Sequence, residues 1–179
     1  AGYEDGFLVA MRASDGATRW SKNLGGNEQR FVDVDTRPVV EGDMVFAGSF
    51  AVGLYALDKQ HGNIRWLIKG RGIHSPAMGE RFLFVADGQR NLLALDPATG
   101  DVKWKVEATR GELSAPTYGM NRVWVPTGDS LLMVDAISGH VRARISPDDG
   151  QTAAVATRGS WVHFVTNSGA LVGARVFDQ

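Results

Sequence analysis

The sequence predicts an all-β fold, a β-propeller built from four-stranded antiparallel blades, with about four blades in the chain. Three observations predict it. A motif recurs with a period near 40 residues. Each period holds four short runs rich in β-branched and aromatic residues, bounded by Gly, Asn and Asp. Apolar residues at i, i+3, i+4 spacing are absent and Gly interrupts the chain every ~10 residues, which excludes a helical repeat. Four strands per unit of this length is the signature of a propeller blade.

The elements follow in order. The motif is clearest in Leu54-Tyr55-Ala56-Leu57-Asp58, continuing through Gly62 to Trp66. It returns 38 residues later as Leu92-Leu93-Ala94-Leu95-Asp96, Gly100 and Trp104. An earlier copy runs from Leu8-Val9-Ala10-Met11 through Gly16 to Trp20. A fourth has Val134, Asp135 and Gly139, with Ala143 in place of the Trp; a fifth, Leu171-Val172-Gly173-Ala174, stops before its Gly and Trp. Between these copies, Pro38, Pro76 and Pro116 each precede a Gly (Gly42, Gly79, Gly119) and then an apolar strand. Ala154 to Val165 is the last such copy, without the Pro.

Each unit therefore reads as strand A around the Pro, B after the Gly, C on the Leu-Ala-Leu-Asp run and D on the Trp. The chain holds four A, four B, five C and four D strands, and Ala1 to Gly6 reads as the tail of one more B. The repeat units fall at about 1–24, 25–69, 70–107, 108–145 and 146–179 within one partial propeller domain. An open sheet edge invites aggregation, and propellers remove it by closing the ring. Two resolutions present themselves: a longer propeller, or two copies pairing their ends to complete one ring.

The motif residues have physical roles. The Asp after strand C can bond nearby backbone N–H groups, and the Gly four residues on can take φ > 0 in a tight turn. Trp20, Trp66 and Trp104 offer large apolar plates to pack between neighbouring blades.

Composition excludes several functions. The 19 Lys plus Arg nearly cancel the 20 Asp plus Glu, which removes the basic excess of a nucleic-acid binder. No apolar run approaches the ~20 residues needed to cross a bilayer. No signal peptide is visible at Ala1, so any targeting segment is removed or lies outside this sequence. The absence of Cys excludes a disulfide framework and a thiolate metal site. His61, His74, His140 and His163 sit at different blade positions, which argues against a shared metal site. Asp33 and Asp35 do not open an EF-hand loop, since Pro38 and Met44 stand where Gly and Glu are needed. Asp148-Asp149-Gly150 reads as a solvated turn. Neither a nucleophile elbow nor a phosphate-binding Gly-Lys loop occurs. The chain is therefore expected to have no catalytic residues, cofactor or metal.

The blade topology also predicts a binding face. Strands run up and down, so the D–A and B–C connections open on one side of the disc. From the Trp position to the Pro position, three D–A connections measure 10, 12 and 11 residues, whereas Trp20 to Pro38 measures 18. The extra residues make Asn27 to Asp35 an insertion, and insertions gather on the binding face of repeat proteins. The B–C turn Ser49-Phe50-Ala51-Val52 falls on the same face with an apolar tip that a turn does not require. The expected contact residues are Arg30, Phe31, Asp33, Asp35 and Phe50, since aromatic and Arg side chains make good anchors. Asp33 and Asp35 could equally cap turns. Lys69, Arg71 and Arg90 fall on this face and read as rim charges rather than a phosphate site.

The Ala-Leu-Asp-x-x-x-Gly-x-x-x-Trp copies resemble the quinoprotein-type propeller repeat. More specifically, Asp33-Val34-Asp35-Thr36-Arg37-Pro38-Val39-Val40 resembles a segment of the BamB family, the propeller lipoproteins of the outer-membrane β-barrel assembly machinery. The ending Gly169 to Ala174 resembles the way that family ends, inside a strand C. The resemblance covers the C-terminal half of an eight-bladed ring. It implies a non-enzymatic periplasmic scaffold at the inner face of the outer membrane. Such a scaffold binds BamA through its POTRA domains, with Asp33 and Asp35 on the binding face, and aids β-barrel folding and insertion. Unfolded outer-membrane proteins are a further possible partner by this resemblance. The lipid-bearing Cys and a Leu- and Arg-containing contact loop of the family have no counterpart here. Two other readings stay open: a periplasmic propeller with a different protein partner, and a fragment of a pyrroloquinoline quinone dehydrogenase. The missing Cys counts against the second, because many such enzymes carry a vicinal disulfide.

Overall fold

A computed structural model describes residues 1–26, 33–34, 36–147, 149–151 and 155–177. Among these are seventeen strands and no helix. The first sheet pairs β1 (Phe7–Met11) with β2 (Thr18–Asn23). Next comes the four-stranded sheet β3 (Val39–Glu41), β4 (Met44–Ser49), β5 (Gly53–Asp58) and β6 (Ile64–Lys69). The third sheet is β7 (Ala77–Met78), β8 (Leu83–Ala86), β9 (Asn91–Leu95) and β10 (Val102–Glu107). The fourth is β11 (Thr117–Gly119), β12 (Arg122–Pro126), β13 (Leu131–Asp135) and β14 (Val141–Ile145). The last is β15 (Ala156–Arg158), β16 (Trp161–Val165) and β17 (Leu171–Arg175). All pairings are antiparallel between sequence neighbours. Strands β3, β7, β11 and β15 lie side by side, so strand A is the inner edge of each blade. Gly2 bridges Leu8, which pairs the first residues with β1 as a strand-B tail would.

The core is not one block but four apolar clusters, one between each consecutive pair of sheets. Leu8, Val45 and Leu57 fill the first interface, and Phe46, Leu54 and Leu83 the second. Phe84, Val123 and Val134 fill the third, and Trp124, Val162 and Phe164 the fourth. In the second and third sheets strands B and C are covered on both faces, which is why β4, β5 and β8 are buried almost throughout, whereas β16 and β17 of the last sheet alternate in exposure. Strand D is the outer edge, and β2 and β10 alternate in exposure.

The repeated motif now has a three-part account. Asp58 accepts the turn N–H groups of His61 at 2.6 Å and Asn63 at 3.0 Å. Asp96 and Asp135 likewise accept Ala98 and Ser138 at 2.9 Å each. Each Trp then lies over the turn Gly of the next blade, and its Nε1–H donates to a carbonyl of that turn. The bonds run from Trp20 to Lys59 at 2.9 Å, Trp66 to Pro97 at 3.1 Å and Trp104 to Ala136 at 3.1 Å. A Cβ on Gly139 would come within 2.8 Å of the Trp104 ring. Within its own blade each Trp faces a small residue, Ala10, Ala56 or Ala94. In the fourth blade the sizes are exchanged: Ala143 stands at the Trp position and faces Met133. The volume is moved across the strand pair rather than lost, as close packing requires.

Candidate docking site

Hydrogen bonds fix which loops share a face. The Phe50 N–H donates to the Asp33 carbonyl at 3.1 Å, and the Gly72 N–H to the Phe50 carbonyl at 2.9 Å. The Gly70 N–H donates to Val52 at 3.1 Å, and the Gly88 N–H to Arg71 at 2.9 Å. D–A and B–C connections therefore interlock on one side. On the other side the A–B and C–D turns meet, with the Lys59 N–H donating to the Asp43 carbonyl at 2.8 Å.

The insertion is tied to the second blade at its C-terminal end. Val34 is buried in the first interface, and the Thr36 hydroxyl bonds both the carbonyl and the N–H of Gly48, at 3.0 and 2.9 Å. The approach needs Gly48, because a Cβ there would stand 2.8 Å from Ile73 and 2.9 Å from Thr36. Asp33 is half-buried beside this anchor, and its carbonyl holds the Phe50 turn. Insertion and turn are thus brought together. Arg30, Phe31 and Asp35 lie outside the described residues.

The Phe50 turn differs from its counterparts in the other blades. Its last strand residue, Ser49, corresponds by register to Asp87, Thr127 and Thr166. Those three side chains close their own turns. Asp87 accepts Gln89 and Asn91 N–H groups at 2.9 Å. Thr127 donates to Asp129 at 2.7 Å, and Thr166 accepts the Ala170 N–H at 3.2 Å. The Ser49 hydroxyl is fully buried and has no partner among the described residues. The turn beyond it carries Phe50, Ala51 and Val52 in place of polar residues, and Phe50 is 47% exposed. An exposed ring on a turn held by backbone bonds to two neighbouring segments has the makings of a binding anchor.

A groove lies on each side of this turn. One, of about 520 Å³, runs between Val52, Lys69, Arg71 and Gln89. The other, of about 230 Å³, lies between Thr36, Phe50, Ile73 and His74. Farther round the same face the charges are neutralised. Arg144 lies 3.8 Å from Asp129, whose carboxyl is held below its usual range by the Thr127 hydroxyl and then by Ser130. Asp149, exposed, is held low by the Ser168 hydroxyl and N–H, the latter at 2.7 Å, and so braces the turn that carries Ser168. His61 sits 3.4 Å from Asp58, but that carboxylate is committed to turn amides. Among the described residues no group of three or more His, Asp or Glu is placed to hold a metal ion.

Sequence reasoning put Phe50 and the insertion on one face, and the described end of the insertion, at Asp33, does bond the Phe50 turn. It did not find the unpartnered Ser49 hydroxyl. The signal was present: aligning the four B–C turns sets Phe-Ala-Val against three turns closed by Asp or Thr.

The arrangement matches known proteins. A family model described as outer membrane protein assembly factor BamB matches residues 1–78 and 54–176. The chain belongs to the BamB family. The BamB of Legionella pneumophila is 24% identical over 178 residues, covering 95% of this chain and 46% of that protein. The BamB of Pseudomonas aeruginosa is 26% identical over 180 residues, covering 96% of this chain and 47% of its own length. The crystal structure of BamB from Moraxella catarrhalis superposes with a TM-score of 0.77 at 21% identity, over 97% of this chain and 53% of that one. The chain thus spans about half the length of the BamB relatives it matches, and the propeller architecture is shared along nearly all of it.

Proposed function

We propose that the chain acts as a non-enzymatic periplasmic scaffold of the outer-membrane protein assembly complex. It docks on the POTRA domains of BamA at the inner face of the outer membrane and aids β-barrel folding and insertion. Family membership supports the complex. The observation that carries the docking surface is the Phe50 turn, apolar and exposed, bonded to the insertion at Asp33. The surface comprises Phe50 and Asp33 with Arg30, Phe31 and Asp35 of the same insertion. Among the described residues of this face no reactive constellation calls for an enzyme.

A pull-down with the BamA periplasmic domains tests this. Phe50→Ala removes an anchor worth about 2 kcal/mol or more if it is a hot spot, a loss of roughly 30-fold in affinity. Asp33→Ala with Asp35→Ala should also weaken binding while the melting temperature stays nearly unchanged. Unaltered binding by both variants would overturn the assignment of the face; loss of folding in the Asp pair would mark those two residues as structural.

A further inference from the structure

The groove between the second and third blades is more cationic than its counterpart between the third and fourth. Lys69 ends β6, Arg71 follows it in the D–A connection, and Gln89 comes from the next blade's B–C turn. Arg90 is exposed beside Gln89 at the tip of that turn. Lys69, Arg71 and Arg90 have no ion pair or side-chain hydrogen bond among the described residues. At the next interface Glu107 ends β10 where Lys69 ends β6, and Glu112 follows Arg110, so the charges there are mixed. Asp87, of the same B–C turn as Gln89, is engaged by its own turn amides and by the Asn91 side chain at 2.9 Å.

The two loops that carry Arg71 and Gln89 are held together next to the groove. Gly72 and Gly88 bring them into backbone contact, and a Cβ on Gly72 would stand 2.9 Å from the Gly88 Cα. Val52 and Ala51 supply apolar wall on the side of the Phe50 turn. A rigid trough with an apolar wall, a guanidinium fork and an ammonium suits a carboxylate borne on a peptide. The fork grips two oxygens, the ammonium adds a point charge, and the wall takes the aliphatic stem. A free anion would leave the apolar wall unused.

We propose that this groove binds an acidic extended peptide segment, with Lys69 and Arg71 holding its carboxylates. The inference rests on the reading of this face as a protein-docking surface and names the chemistry of what lies beside the Phe50 anchor. The test uses a fluorescein-labelled decapeptide of alternating Glu and Leu, its isosteric Gln-Leu control, and vesicles containing phosphatidylglycerol, each titrated against the whole chain. The acidic peptide should bind at least ten times tighter than the control, more weakly as salt rises. Lys69→Gln with Arg71→Gln should reduce that binding at least tenfold. Circular dichroism of the double variant, unchanged from the parent, keeps the comparison on the groove. Equal binding of the two peptides, an unaffected double variant, or vesicles bound in preference to the peptide would overturn the groove assignment. None of these results bears on the BamA pull-down, which is read through Phe50 and the insertion.

Discussion

Replacing Gly62 by Ala separates the demand of the turn backbone from the demand of the Trp plate. Gly16 and Gly62 occupy the same position in successive C–D turns, at φ of 73° and 70°. A Cβ at Gly16 meets nothing within 4 Å, while one at Gly62 stands 2.6 to 2.7 Å from the Trp20 ring. Gly16→Ala therefore bears only the left-handed backbone penalty, roughly 1–2 kcal/mol. Gly62→Ala bears the same penalty and must also push the indole away. Overpacking of that kind costs about 1–3 kcal/mol. A displaced ring also strains the 2.9 Å bond from Trp20 to Lys59, a loss of roughly 0.5–1.5 kcal/mol. The two variants should then differ by about 2–4 kcal/mol, which for a chain of this size is on the order of 5–15 °C in Tm. Urea denaturation followed by circular dichroism measures the difference without relying on Trp emission. Equal losses in the two variants would refute the argument, since the ring would then have no part in the choice of Gly.

Two further predictions concern the fold. Ala94→Met enlarges the residue that faces Trp104 in the same blade and should destabilise by about 1–3 kcal/mol in urea denaturation, because a Met is accommodated at this position in the fourth blade by Ala143 in place of the Trp. The turn carboxylates set the acid limit. Asp58, Asp96 and Asp135 are held below the usual carboxylate range, chiefly by the His61, Ala98 and Ser138 N–H groups respectively. A carboxyl that binds its proton less readily when folded stabilises the fold fully above its unfolded pKa of about 4 and loses that contribution as pH falls toward the lower folded value. Thermal stability should be level from about pH 7 to 5 and fall below 4, and Asp135→Asn should flatten that fall; a steady decline beginning near pH 6 would point to His instead.

Much of the fold is legible in the sequence because its determinants are local. Apolar runs, the Asp-to-Gly turn spacing and the Trp repeat lie within about 13 residues of one another, so a strand count of four A, four B, five C and four D follows by inspection. The structure has the same seventeen strands. What the sequence conceals is whatever joins different units. The Trp66 plate was expected to pack between blades, but its particular partner, Gly100 of the next turn, needs coordinates. The exchange of Trp and Ala for Ala and Met in the fourth blade depends on cross-strand register. The site divides in the same way. The length of the insertion and the apolar Phe50 tip are visible as departures from a regular array, whereas the cationic groove is assembled from Lys69 of one unit and Arg71 and Gln89 of the next.

Hydrogen exchange on this chain, with and without the BamA periplasmic domains, maps the docking face directly. Amides of residues 49–53 and 70–72, with the segment around Asp33, should gain protection while the C–D turns at 59–63 and 97–101 exchange as before. Protection confined to those C–D turns would place the partner on the opposite side of the blades and contradict the assignment.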